Sequence, residues 1–222
     1  MEVEIWSDVN CPWCYIGKRR FEAAMSGFAH AAEVNVTWRS FELDPAAPAE
    51  QPGNGAVMLS EKYGVPLEQA RAMEQNVTQI AAGEGLRYEL ERARIGSSFD
   101  AHRLVHLADR YGLQDAMKER LFLARFTEGR LISDLETLVQ LGCEVGLDGA
   151  EVRAMLAGDE FAADVREDEV TAQQLGISGV PMFVVDRAFG MSGAQPAEQL
   201  QALLEHAWEV SHGVDQPRAD PA

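Results

Sequence analysis

Cys11-Pro12-Trp13-Cys14 stands between two unlike neighbours. Directly before it, Val3-Glu4-Ile5-Trp6 alternates as a strand does. Directly after it, Tyr15 to Phe28 places Ile16, Phe21, Ala24, Met25 and Phe28 on one face of a helix. The first cysteine therefore falls at a strand-to-helix junction. Unpaired amides and the positive end of the helix dipole favour an anion there, the condition for a reactive thiolate. Cys14 lies one turn into the helix on the same side, so the two sulfurs can join and part with little movement of the backbone.

Other chemistries explain the pair less well. Zinc needs four ligands, and the third cysteine, Cys143, stands alone with no second pair at ligand spacing; no metal and no cofactor are expected. A static bridge over so few residues would remove little unfolded-chain entropy. Strand, CxxC and helix in that order match a thioredoxin-like redox pair. Cys11 and Cys14 are the candidate catalytic residues, with Pro12 and Trp13 as substrate-contacting neighbours. Trp13 is expected on the rim as an apolar platform, helix packing being its bland alternative. Tyr15 is expected in the core, and His102 as a structural or surface histidine.

The formal net charge of -17 argues against nucleic acid and against an anionic membrane surface as partners. It also disfavours a strongly anionic substrate. No apolar run is long enough to span a bilayer. The first residues already read as a strand, without the features of a signal peptide, so a cytoplasmic location is expected. Three cysteines in a reducing compartment read as a working pair plus one bystander. Cys143 is expected to fill a helix face as a small hydrophobe, a resolving thiol being the sharper alternative.

Val34 to Phe41 reads as a second strand, joined to the first through the helix as a βαβ unit. Asp44 to Gly55, rich in proline and glycine, is a loop. From about Val57 to Gly176 the pattern is helical. Pro66 at a first helical position opens Leu67–Ala82. Ser97 or Ser98 caps Phe99–Tyr111 and Gln114–Phe126 follows. Ser133 caps Leu135–Val145, Asp148 caps a helix around Ala150–Leu156, and Glu160–Leu175 closes the block. Val180 to Asp186 is an apolar strand. It turns near Asp186-Arg187 into a hairpin partner, and Pro196 opens a last helix over Ala197–Val210.

Laid end to end, this is an α/β thioredoxin fold with an all-helical domain inserted after the first βαβ unit. The expected divisions are 1–56 and 159–212 for the two halves of the thioredoxin-like domain, 57–158 for the insertion, and 213–222 for a disordered tail. Pro181 sits at the start of a strand, where a proline cannot donate to the ladder. The residues alone leave the Val180–Pro181 bond open between trans and cis. In the cis case the Val180 backbone is free to pair with an extended substrate.

Three segments together resemble a known family: Ser7-Asp8-Val9-Asn10-Cys11-Pro12-Trp13-Cys14-Tyr15-Ile16-Gly17, Gly176-Ile177-Ser178-Gly179-Val180-Pro181-Met182-Phe183-Val184 and Ser192-Gly193-Ala194-Gln195-Pro196. They are similar to the cytoplasmic DsbA-like oxidoreductases of the FrnE type, and Phe99-Asp100-Ala101-His102-Arg103-Leu104 looks like a motif of their insertion. The resemblance runs over essentially the whole chain. It implies a thioredoxin fold with a helical insertion, a Cys11–Cys14 redox pair, and a cis-proline loop at Val180-Pro181. Some relatives carry a further cysteine pair near the C-terminus; this chain has none. The same superfamily includes kappa-class glutathione transferases and hydroxychromene carboxylate isomerases, which usually have serine where Cys11 stands.

The expected function is thus thiol-disulfide exchange on a protein or small molecule bearing a thiol or disulfide, with glutathione as a further candidate partner. The alternative is a glutathione-dependent isomerase or transferase acting on a small aromatic or polyketide-like molecule. A third class is a binding or chaperone-like module in which the cysteines are incidental.

Overall fold

The strand before the cysteine pair, β1 (Glu2–Ser7), is the hub of the fold. It pairs in parallel with β2 (Asn35–Ser40) along its whole length and antiparallel with β3 (Met182–Val185) on its other edge. β4 (Phe189–Ser192) completes a sheet of order β2-β1-β3-β4. The computed structural model describes residues 1–51, 53 and 55–212; the tail expected over 213–222 lies outside them.

β1 is covered on both faces. Val3 and Ile5 enter the main core, while Trp6 packs with Ala172, Ile177 and Val184 on the other side. Glu4 shares that second face and is buried only because Arg39 and Arg187 hold its carboxylate. The β3–β4 hairpin turns at Asp186 and Arg187 as expected. Both residues have positive φ (48° and 53°), and the Ala188 amide closes the turn on the Val185 carbonyl (3.0 Å).

The crossover from β1 to β2 is α1 (Pro12–Gly27). Seven further α-helices lie between β2 and β3 among the described residues. They are α2 (Gly55–Tyr63), α3 (Leu67–Gly83), α4 (Phe99–Asp109), α5 (Gln114–Phe126), α6 (Leu135–Glu144), α7 (Gly149–Ala157) and α8 (Ala162–Gln174). α9 (Ala197–His212) returns to pack on α1. This is the thioredoxin fold with inserted helices. The insertion shares the core of the thioredoxin part: Tyr15 of α1 stacks on Phe122 of α5 with ring centroids 5.0 Å apart, and Lys18 reaches Glu22, Asp115 (3.1 Å) and Glu119 (3.4 Å).

Several local expectations are corrected. Asp134, not Ser133, caps α6. Its carboxylate accepts from the Thr137 amide, while the Ser133 hydroxyl turns to the Ala49 carbonyl. Pro66 precedes α3 as its cap residue, with ψ of 146°, and is not its first helical residue. β3 begins at Met182, because Pro181 has no N–H for the ladder. Cys143 is exposed. α6 buries Leu138, Val139, Leu141 and Gly142, which leaves Cys143 on the solvent side beside Glu144. Asp148 caps α7 as expected, accepting from the Ala150 and Glu151 amides.

Candidate active site

Cys11 is the N-cap of α1 (φ −89°, ψ 113°), and Pro12 follows at the first helical position, where its missing N–H costs nothing. The Cys11 amide donates to the Asp8 carbonyl (3.1 Å), and the Cys14 amide donates to the Cys11 carbonyl (3.0 Å). This tight turn carries the chain from β1 into the helix and sets both thiols together. Both are free and buried, with Cys11 4% and Cys14 1% exposed. Burial, and then the neighbouring Cys11 sulfur, push the Cys14 thiol well above its ordinary pKa, while the Lys118 ammonium pulls the other way.

The second loop meets the first at this point. The Cys11 thiol points at the Val180 carbonyl, 3.7 Å away, and the Val180–Pro181 peptide bond is cis. Pro181 packs on α1 at Gly17. A Cβ there would meet Pro181 Cγ at 2.9 Å and Phe183 Cζ at 3.4 Å, so the residue must be glycine for the loop to lie this close. Trp13 is exposed beside the pair, and Pro12 is half-buried.

Sequence reasoning missed four residues. Tyr88, in the segment after α3, donates its hydroxyl to the Pro12 carbonyl (2.6 Å) while its ring stacks on Phe126 at 5.0 Å. Asp8 is buried in the turn before Cys11, where it accepts from the Asn10 amide (2.9 Å) and the Leu43 amide (2.7 Å). Burial raises its pKa, but His102 and those two amides outweigh it and hold the carboxyl low. Lys118 is fully buried. Its Nζ lies 3.4 Å from the Ser7 carbonyl and over the rings of Trp38 and Phe122 (5.7 and 5.5 Å). Desolvation pulls it down to about 8, against the opposite pull of Cys14, Asp8 and Asp168. Arg125, also buried, donates from Nε to Asn10 Oδ1 (3.1 Å). Lys118 and Arg125 had a signal: seven residues apart, they interrupt the apolar stripe Met117, Leu121, Phe122 of α5, so both sit on its inward face.

His102 is structural in position: fully buried, with Nε2 3.7 Å from Asp8 Oδ1, and burial pulls its pKa down against the pull of Asp8. Cys143 is not brought to the pair; its Sγ lies against Gly149 at the start of α7. Among the described residues, no three His, Cys, Asp or Glu side chains converge as metal ligands.

The arrangement can carry out one kind of chemistry directly. Two free thiols share one helix start and the first faces a backbone carbonyl; a pair so placed can form and break a disulfide.

Comparison with known proteins finds relatives over nearly the whole chain. The probable DsbA oxidoreductase SCO1869 from Streptomyces coelicolor matches at 47% identity and a TM-score of 0.91, over 100% of this chain and 94% of that one. The cytosolic disulfide reductase DsbM from Pseudomonas aeruginosa shares the fold at 21% identity and a TM-score of 0.66, over 95% of this chain and 100% of that one. A 2-hydroxychromene-2-carboxylate isomerase does so at 14% identity and 0.68, over 97% and 100%. The uncharacterised protein YwbO of Bacillus subtilis is 27% identical over 198 residues, 83% of this chain and 86% of that protein. The model of the DSBA-like thioredoxin domain matches residues 2–205, and the chain belongs to that family of DsbA-like oxidoreductases.

Proposed function

We propose that this oxidoreductase exchanges thiols and disulfides through a mixed disulfide formed at Cys11 and resolved by Cys14. The observation that carries the reading is the pairing of two free thiols at the start of α1 with the Cys11 sulfur facing the Val180 carbonyl. In the reducing direction the Cys11 thiolate attacks one sulfur of a substrate disulfide. A Cys11–substrate bond forms and the other substrate sulfur leaves as thiolate. Cys14 then attacks Cys11. The second substrate thiolate leaves, the Cys11–Cys14 bridge forms, and two electrons have passed to the substrate. The oxidising direction is the reverse sequence.

Trp13 and Pro12 on one side, and Val180 and Pro181 on the other, are the surfaces against which an extended substrate would lie. The Val180 backbone would offer strand-like pairing. A reducing, cytoplasmic setting suits free cysteines of this kind. The isomerase alternative shares the fold, but fold does not carry function, and the intact cysteine pair favours disulfide chemistry.

The test is insulin reduction with dithiothreitol, run beside Cys11→Ser. Turbidity that requires Cys11 supports the reading. Equal activity in the two proteins removes it for protein substrates and turns attention to glutathione-dependent isomerisation of small molecules.

A further inference from the structure

Five acidic side chains are buried among the described residues: Glu4, Asp8, Glu42, Glu74 and Asp168. Four of them are held. Arg39 and Arg187 hold Glu4, backbone amides hold Asp8, Arg166 holds Glu42, and the Ser40 amide and Arg39 hold Asp168. Glu74 has neither a hydrogen bond nor an ion pair among the described residues. It belongs to the inward stripe of α3, formed with Ala70, Val77 and Ala81, and is the one ionisable residue of that stripe. Burial, and then Glu91, raise its pKa against the pull of Arg125 and Arg71. A carboxyl group kept in such a place without a partner is costly.

Glu74 is 9% exposed and lines a cavity of about 710 Å³ between α3 and residues 88–92. The volume is that of a small-molecule site, roughly 300–1,000 Å³. Gln75 and Thr78 of α3 also line it, and neither side chain has a hydrogen-bond partner among the described residues, so their oxygens are free to accept. The charged groups on the wall are Glu74, Glu89 and Glu91 against Arg71 and Arg92. Glu89 accepts from Arg87 (2.9 Å), and none of Arg71, Arg92 and Arg125 forms an ion pair with Glu74. With Glu74 ionised, the lining has one negative charge in excess. Glu91, Arg71 and Arg92 are exposed, so the one unpaired charge at depth is that of Glu74.

This lining complements a single monovalent cation. A hard divalent ion takes several carboxylates, and no three acidic or imidazole side chains converge among the described residues. One carboxylate flanked by neutral amide and hydroxyl oxygens matches the three donors of an ammonium group. The net charge of -17 also favours a cation at long range.

We propose that this cavity binds a primary ammonium group on a short alkyl chain, with Glu74 as its anchor. A lysine side chain of a polypeptide carries such a group, and so does a free alkylamine. The site is distinct from the cysteine pair and does not depend on the exchange reading. Tyr88 stands between the two places: it lines the cavity, and its hydroxyl donates to the Pro12 carbonyl.

The experiment is calorimetric titration of the full chain at ~0.15 M salt, where fields are screened beyond ~8 Å. The probes are n-pentylamine, its neutral counterpart n-pentanol, and the peptide acetyl-Gly-Lys-Gly-amide. The proteins are wild type, Glu74→Gln and Glu74→Asp. Removing an uncompensated buried charge does not harm a fold, so Glu74→Gln should melt no lower than wild type. Loss of one charge-assisted contact corresponds to roughly tenfold. The expected result is that wild type binds an amine about tenfold more tightly than n-pentanol. Glu74→Gln should weaken amine binding about tenfold, and Glu74→Asp, which keeps the charge but shortens its reach, about threefold. Tighter binding of the peptide than of n-pentylamine would make a polypeptide side chain the occupant, and the reverse order a free alkylamine. Wild type that binds neither amine, or binds n-pentanol as well as n-pentylamine, overturns the proposal. Amine binding unchanged in either variant overturns it too.

Discussion

Lys118 Nζ lies 3.4 Å from the Ser7 carbonyl oxygen in a fully buried position, with no carboxylate salt-bridged to it among the described residues. The other buried lysine, Lys18, has three carboxylates around it and its pKa is raised despite burial. Lys118 has no such compensation, and burial brings it down to about 8. The sign follows directly. Between about pH 8 and the ordinary lysine value near 10.5 the unfolded chain binds more protons than the folded one, so stability rises with pH across that window. Cys14, pushed up by burial, titrates with the opposite sign. The measurement therefore belongs in a Cys11→Ser, Cys14→Ser background. There, urea unfolding should give a positive slope of stability between pH 8 and 10. Lys118→Met should abolish that slope and add about 3 kcal/mol at pH 7. A slope that survives Lys118→Met would refute the assignment.

The same lysine bears on the chemistry. Its ammonium is the charge that opposes burial at Cys14, easing formation of the resolving thiolate. With a disulfide substrate, Cys14→Ser should accumulate a Cys11–substrate adduct visible as an added mass, and Cys11→Ser should show none. In Lys118→Met with both cysteines intact, formation of the adduct should keep its rate and its resolution should slow several-fold at pH 7, an effect of about 1 kcal/mol. An adduct that resolves at the wild-type rate would remove Lys118 from the step.

The local order strand, CxxC, helix could be read because each signal there is short-range: alternation before Cys11, a 3.6-residue period after it, and a hairpin turn at Asp186-Arg187 that needs two left-handed residues. Lys118 and Arg125 were not read as site residues because charged side chains are ordinarily assigned to solvent. Their place within the apolar stripe of α5 was the signal, and the packing of α5 against β2 and α1 shows that this stripe faces inward. Cys143 misled in the opposite direction, since on α6 one step of rotation past Gly142 moves a side chain from core to water. Tyr88 lies in a segment without periodicity. Its bond to the Pro12 carbonyl spans 76 residues of sequence and leaves no local trace.

Gly17 offers a test of how closely the two loops must meet. A methyl group there would sit 2.9 Å from Pro181 Cγ, inside contact distance of a side chain that cannot change rotamer freely. Gly17→Ala should cost about 1–3 kcal/mol, as overpacking does, despite the better helix propensity of alanine. It should also reduce insulin reduction more than it reduces alkylation of Cys11 by iodoacetamide, because the loop that receives substrate is displaced while the thiol stays at the helix start. Equal losses in both assays would place the damage in α1 itself.

Asp168 connects stability to the same loop. It is 4% exposed on α8, accepts from the Ser40 amide (2.8 Å), and sits within 3.2 Å of His106 and 3.1 Å of Arg39. Its backbone carbonyl also accepts from Trp6 Nε1 (2.9 Å). Burial alone would raise the Asp168 pKa; His106, the Ser40 amide and Arg39 outweigh it and hold the carboxyl below its ordinary value. A depressed carboxyl contributes stability above its unfolded pKa, near 3.9, and loses that contribution as pH falls through the folded value. Asp168→Asn should therefore destabilise by about 3 kcal/mol at pH 7, as breaking a buried charged pair does, with the difference from wild type shrinking below pH 4. From the end of α8 the chain runs through Leu175 and Gly179 to Val180, the residue facing the Cys11 thiol. A variant that is still folded at 25 °C should consequently show faster amide exchange over 175–180 and weaker insulin reduction. Unchanged exchange in that segment would mean that α8 does not hold the loop.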